Sequence, residues 1–434
     1  MMSGNQQNQS SLNQLYQKIN DKDQTFCMYP WIHLHVSPSG VAAPCCIAKS
    51  CDTHDGVGDG RTSSLMQLVN SPKMNKLRLD MLKGVRNEEC KKCYDHEDHD
   101  IKSIRQCTNE DFKHLFLETV PHTNFIDGSL NQFQMYYFDI RYSNICNFKC
   151  RTCGQEFSSQ WEQENWANNV EHARKFPKIV NKTLFTDVLE QINHMEWAYF
   201  AGGEPLITEE HYIMLEEMIK RKRTDIRLRY STNFSTLQFK DKDLLQLWYH
   251  FENPVDLYAS IDHYGERAEY IRHGTDWGKI ESNFLKISKL KNINLSINAV
   301  YSLFNALTFD NFLEYMHDKN LLPFNTMYFS VYPMQSPNYY STDMLPLEKK
   351  EIAKNAIHNI HSKFNSYGYK SKVLNSVFPP LLNWLNNDCI LDHPIKPDAG
   401  TIKEFFQQEV AFRDKIRGED FAKTFPELAF LLDK

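Results

Sequence analysis

Met135-Tyr136-Tyr137-Phe138-Asp139-Ile140, followed six residues later by Cys146-Asn147-Phe148-Lys149-Cys150-Arg151-Thr152-Cys153, decides how the chain is read. The first run is aromatic and apolar, and it is expected to form a strand over Tyr136–Ile140. The second then lies on the loop leaving that strand's carboxyl end, where α/β barrels keep their chemistry. Its three cysteines are spaced by four and three residues, and no fourth stands near them in sequence. Three thiolates are one short of the four that normally hold a cubane iron–sulfur cluster. One iron of such a cluster would be open to a cofactor or substrate. The other reading is a zinc knuckle, although zinc sites usually close as tetrahedra of paired ligands.

Outward from this stretch, Met135 to about Pro337 alternates short apolar strands with amphipathic helices. That rhythm marks repeated βα units and a parallel sheet, an α/β fold. Strands are expected at Tyr136–Ile140, Glu196–Phe200, Arg227–Ser231, Leu257–Ser260, Asn294–Val300 and Met327–Val331. Helices such as Thr208–Arg221 and Lys279–Leu290 fill the gaps. Beyond Pro337 the pattern turns helical, with Leu345–Phe364, a segment near Val377–Leu385, and Ile402–Arg417. The expected division is a disordered tail over 1–24, a cysteine-rich segment over 25–115, a core over 130–340 and a helical extension over 341–434.

In the cysteine-rich segment, apolar residues alternate from Trp31 to Val36, and Ser37-Pro38-Ser39-Gly40 signals a turn. A second short strand then runs through Val41-Ala42-Ala43, so a β-hairpin is expected, with a cysteine carried by each arm. Leu65 to Met81 reads as a helix, stopped at Gly84. Cys27, Cys45, Cys90 and Cys93 make a four-thiolate site, which taken alone suits structural zinc as well as a cluster. Cys46 and Cys51 are alternative ligands. Cys107 and Cys389 read as ordinary buried thiols.

With 434 residues and 41% hydrophobic content, the chain is long enough for a large core and two or three domains. Eleven cysteines without an export signal point to metal or cluster binding, not to a disulfide framework. A formal charge of −6 offers no general attraction to nucleic acid. No apolar run approaches a membrane span, so a cytoplasmic protein with no membrane partner is expected.

The C-x3-C-x2-C spacing resembles the signature of the radical SAM (S-adenosylmethionine) enzymes. The resemblance implies a partial (β/α)6 TIM-like barrel and a [4Fe–4S] cluster on Cys146, Cys150 and Cys153. SAM would chelate the open iron and be cleaved to a 5′-deoxyadenosyl radical. Ala201-Gly202-Gly203-Glu204-Pro205 is similar to the family's GGEP turn, which holds the methionine amino group. Ser231-Thr232-Asn233 is similar to the turn facing the ribose, with Asn233 the better candidate than Ser231. Ser260-Ile261-Asp262 resembles the S-[IV]-D run that ends the fourth strand. Arg272 falls in a segment like the family's IR…G…W, which implies a SAM-carboxylate partner. Alternation along Asn294–Val300 turns Asn298 inward toward SAM or substrate. One departure is Thr152, where an aromatic residue is common, so Phe148 or a later residue would have to contact adenine.

The amino-terminal cysteines resemble the twitch domain, the shortened relative of the SPASM domain, which carries one auxiliary [4Fe–4S] cluster. Here it precedes the core instead of following it. The whole resemblance implies an oxidoreductase or maturase-type enzyme supplied with electrons by flavodoxin or ferredoxin. A peptide or protein side chain is the leading substrate, and a small molecule or nucleotide-derived metabolite the alternative. From another class, the rival is a non-catalytic zinc-binding adaptor.

Overall fold

The computed structural model describes residues 16–17, 25–53, 55–98, 102–321, 329–386 and 399–433. Most of the expected tail over 1–24, Cys389 and Met327 lie outside the described residues. The fold is mixed α/β with mostly parallel strands. Its contacts divide the described residues into two compact units. One takes those of Met1–Ile145, Lys175–Leu228 and His250–Asn253; the other takes those of Cys146–Arg174, Arg229–Tyr249 and Pro254–Lys434. Among the described residues no helix is long and apolar enough to cross a membrane.

In the first unit the expected hairpin forms from His33–Val36 and Val41–Ala43, which pair antiparallel. Its first arm also lies parallel to Tyr137–Ile140, with His35 opposite Asp139. Tyr137–Ile140 in turn pairs in parallel with Trp197–Phe200. All four residues of His33–Val36 are buried, as in a strand whose two faces are both covered, so the expected alternation of buried and exposed positions is absent. Trp31 and Ile32 are not in the strand: Tyr29–Ile32 is a single helical turn opened by Pro30. Neither hairpin arm carries a cysteine, since Cys27 precedes that turn and Cys45 follows Val41–Ala43.

The single helix expected over Leu65–Met81 is two, Leu65–Val69 and Pro72–Leu82. Proline disfavours helical backbone in the residue before it, and Ser71 there instead caps the second helix by accepting from Met74 N. Arg78 on that helix is fully buried, and it donates to the carbonyls of Pro30, Gly128 and Val69 and to Asn75 Oδ1. Three chain segments thereby share one guanidinium. Arg78→Met would leave those carbonyls buried without donors. It is expected to lower stability by about 3 kcal/mol or more, read from the urea midpoint.

In the second unit, Val255–Ser260 lies parallel to Arg229–Thr232 on one side and to Ile293–Tyr301 on the other; Phe329–Pro333 extends the order. Val255, Leu257 and Ala259 are buried, while Asp256, Tyr258 and Ser260 are half-buried. One sheet face is therefore apolar and the other polar, with Ser260, Asn298 and Ser330 aligned across three strands. Helix Trp277–Ile287, capped by Asp276, buries Trp277, Ile280, Phe284 and Ile287 at helical spacing. The carboxyl-terminal helices run Leu347–Ser366, Ser371–Asn386 and Ala399–Arg417.

Candidate functional site

The three-cysteine loop lies wholly in the second unit. Cys150 is buried, and Cys146 and Cys153 are half-buried. Lys149–Cys150 forms a two-residue antiparallel bridge with Arg272–His273, Cys150 opposite Arg272. Arg151 N donates to Ile271 O at 2.7 Å and extends the pairing. Gly274 has φ +107°, and a Cβ there would stand 2.9 Å from Asn147 O and 3.0 Å from Phe148, so glycine permits this close approach. The loop is further held by the Trp161 indole, which donates to Cys150 O at 2.7 Å.

Two residues singled out from sequence reach the sulfurs. Asn233 Nδ2 lies 3.9 Å from Cys146 Sγ and 2.9 Å from Asn147 Oδ1. Arg272 Nη1 lies 3.9 Å from Cys150 Sγ. Donors placed at cluster sulfurs are a main determinant of reduction potential. Arg272 is not a surface residue, because buried Asp262 holds it, through Nη2–Oδ1 at 3.1 Å and an out-of-line Nε–Oδ2 ion pair at 2.8 Å. Asp262 was quoted in the sequence pattern without a role. It orients the guanidinium and also accepts from Val300 N at 2.8 Å. Asn298 Oδ1 is buried with no hydrogen-bond partner among the described residues, an acceptor suited to a ligand N–H or O–H, and Ser260 stands beside it in register. Ser231 is half-buried on the same strand face as Arg229. Phe148 is 1% exposed, so its ring is core and not open to an adenine.

Burial pushes the Cys150 thiol up, and it pushes Cys153 up to about 12. Cys150 and Cys153 are therefore neutral thiols near pH 7, and a cluster would displace their protons.

Gly202–Glu204 belongs to the first unit. A Cβ on Gly203 would stand 2.2 Å from Ile145 O, and Glu204 N donates to that same oxygen at 2.7 Å. The turn thus packs without side-chain clearance against Asn144–Ile145, the residues that lead directly into Cys146. Gly202 has φ +130° and lies against the stem of Arg141. Glu204 is buried, and its Oε1 accepts from Leu206 N at 3.0 Å as a cap.

Also in the first unit, desolvation raises the thiols of Cys27, Cys45, Cys90 and Cys93, and negative charge on neighbouring thiols of the set raises Cys27, Cys45 and Cys90 further. Cys90 reaches about 12. Cys27 and Cys93 are buried and Cys45 and Cys90 half-buried, and four thiols match the number of ligands a cubane takes. Helix Ile104–Phe112 holds this region: Asn109 Oδ1 accepts from Met28 N at 2.9 Å, and Asn109 Nδ2 and Arg105 Nη1 donate to Phe26 O at 2.8 and 2.7 Å. Arg105 is itself paired with Glu97. Neither Arg105 nor Asn109 carried a sequence signal, since a buried polar residue on a helix has no local pattern. Cys46 is surface-exposed, and Asp139 and Arg141 act on its thiol ahead of Cys93. Cys51 Sγ faces Cys45 O at 3.3 Å. Cys107, expected to be buried, is exposed on Ile104–Phe112, because Arg105, Thr108, Asn109 and Phe112 form the inward face. Among the described residues no group of three His, Cys, Asp or Glu side chains is drawn together as around a single metal ion.

A polar cluster without any sequence signal lies on the adjoining strands. His35 Nδ1 meets Asp139 Oδ2 at 2.9 Å, and Arg141 Nε donates to Asp139 Oδ1 at 2.9 Å. Arg141 and His35 hold the Asp139 carboxyl far below the usual carboxylate range despite its burial.

The family model of the SPASM iron–sulfur cluster-binding domain matches residues 27–94, the span of the four grouped thiols. No curated protein sequence matches the chain. Among solved structures, anSMEcpe with bound AdoMet and a Cp18Cys peptide is similar at 19% identity and TM-score 0.36, over 53% of this chain and 60% of that one. Native anSMEcpe with bound AdoMet gives 20% and 0.38, over 53% and 61%. TYW1 with a lysine-pyruvate adduct bound gives 15% and 0.30, over 50% and 72%. The match thus spans about three fifths of the anSMEcpe chain.

Proposed function

We propose that this chain is a radical SAM enzyme with one auxiliary iron–sulfur cluster. The observation that carries the reading is the convergence of Asn233 and Arg272 on the sulfurs of Cys146 and Cys150. Both were marked by motif resemblance, more than eighty residues along the chain from the loop, and both present N–H donors to thiols spaced as three-point cluster ligands. On this reading Cys146, Cys150 and Cys153 hold the first [4Fe–4S] cluster. The cluster, with SAM bound, would supply one-electron reductive cleavage of SAM and the hydrogen abstraction from substrate that follows from it.

The protein's own residues do the rest. Gly202 and Gly203, whose missing side chains let the turn pack on Arg141 and Ile145, would offer backbone carbonyls to the methionine amino group, and Glu204 adds a buried carboxylate. Asn298 Oδ1, Ser260 and Ser231 offer acceptors and hydroxyls to the rest of SAM, and the βα units would form the partial (β/α)6 barrel. Arg272, locked by Asp262, keeps its charge beside Cys150 and is the candidate for the SAM carboxylate. Cys27, Cys45, Cys90 and Cys93 would hold the auxiliary [4Fe–4S] cluster. Flavodoxin or ferredoxin would be the reductant. The substrate we propose is a peptide or protein side chain, on the resemblance of the amino-terminal domain to those of side-chain-modifying members.

The test is anaerobic. Protein loaded with iron and sulfide is expected to carry about eight irons per chain. With dithionite and SAM it should release 5′-deoxyadenosine, measured by mass spectrometry. Stoichiometric zinc without iron, or cluster-loaded protein that yields no 5′-deoxyadenosine, would overturn the reading.

A further inference from the structure

We infer that the carboxyl-terminal helix Ala399–Arg417, with the turn after it, sets the electrostatics of the three-cysteine loop, through Arg151 as a positioning residue. The inference rests on the loop holding a cluster. Arg151 sits between two of the cysteines, yet its side chain is fully buried and its guanidinium stacks 3.9 Å from the Tyr270 ring centroid. Its Nη2 is held by Asp414 and, at 2.6 Å, by Glu419. Asp414 is itself fixed by the Tyr270 hydroxyl and by Phe421 N, both at 2.7 Å. Glu419 also takes His273 Nδ1 at 2.6 Å, and His273 is the residue after Arg272.

The other cation of the loop is treated alike. Lys149 pairs with Glu164 at 2.7 Å, and Glu164 also binds Arg413 and Arg417 of the same carboxyl-terminal helix. Those two guanidinium groups lie over Trp161, whose indole holds Cys150 O. Lys149, Arg151, Arg413 and Arg417 thus face Glu164, Asp414, Glu419 and Glu409, the last paired with Arg413 at 2.7 Å. Four cations meet four anions in pairs that hold Lys149 and Arg151, the two chain neighbours of Cys150. Charges withdrawn from solvent act with little screening, and a cluster's potential follows the local net charge.

A mere brace and a charge-setting device part company in the sign of the effect. Arg151→Gln removes a cation and leaves two carboxylates, so reduction should become harder. Asp414→Asn with Glu419→Gln leaves Arg151 uncompensated, so reduction should become easier. The experiment is a redox titration of the full chain, loaded with both clusters, following the electron-paramagnetic signal that changes on adding SAM. The midpoint is expected to fall in Arg151→Gln, to rise in the double variant, and to stay near wild type in Arg151→Lys. Iron per chain is measured alongside. Should Arg151→Gln fail to fold, the single variants Asp414→Asn and Glu419→Gln must each raise the midpoint. Shifts of the same sign, unmoved midpoints, or loss of iron as the only effect would overturn the inference and leave the proposed function standing. Wild-type protein with no SAM-responsive cluster would overturn both.

Discussion

Cys150→Ala is expected to abolish 5′-deoxyadenosine release and to remove about half of the iron, the share of one cubane in two. The size of the effect follows from the position. Cys150 is the buried middle thiol, faced by Arg272 Nη1, with its carbonyl held by Trp161 and its backbone bridged to Arg272. Taking away the sulfur leaves the Arg272 charge pointing at a void that no other thiol can fill, since Cys146 and Cys153 are needed at their own corners. The comparator is Cys90→Ala, which is expected to lose the other half of the iron while SAM cleavage continues. Iron analysis with mass spectrometry of the nucleoside separates the two patterns. Equal iron loss with equal loss of cleavage in both variants would mean that the two cysteine groups are not independent sites. Alanine is small enough for the loop backbone to persist, so the effect reads the sulfur itself.

The parts of this arrangement that could be read from sequence are those with a local pattern. Alternating apolar residues gave the strands within one or two positions, as at Val255–Ser260 and Ile293–Tyr301. Cysteine spacing and the Gly-Gly-Glu-Pro turn needed no knowledge of distant residues. Where proline sat inside a helical pattern, at Pro72, the local rule was available and outweighed the periodicity. What escaped depends on register between segments far apart in sequence. His35 meets Asp139 only because the hairpin arm joins the sheet beside Tyr137–Ile140. Arg151 finds Asp414 across more than 260 residues. Asn109 and Arg105 are unremarkable helix residues until the helix is seen to grip Phe26–Met28. A polar side chain states what bonds it can make, and only the packing states with whom.

The same packing predicts a steep loss of stability in mild acid. His33 and His211, in the first unit, are buried and neutral: desolvation, the largest cause, brings their pKa values down to about 4 and about 3. His263, in the second unit, is lowered to about 3 by desolvation and by nearby Arg267. An unfolded imidazole takes a proton near pH 6.5, whereas these do not while folded. Stability is therefore whole above about pH 7, and it falls as pH drops below 6.5, because the unfolded state binds more protons. The fall continues until the folded values near 4 and 3 are reached. Each histidine contributes about 1.4 kcal/mol per pH unit. The first unit should then lose about 2.7 kcal/mol per unit and the second about half that. By pH 5 the first unit is short of about 4 kcal/mol, a large fraction of an ordinary domain's stability. Urea unfolding followed from pH 7.5 to 5 should show the midpoint dropping and the first unit opening ahead of the second. His211 packs edge-on against Phe200 and Tyr212, so His211→Phe can keep the contact while deleting the proton site, and it should remove about half of the first unit's slope. A midpoint that stays level from pH 7 to 5 would mean that these imidazoles are protonated in the folded protein.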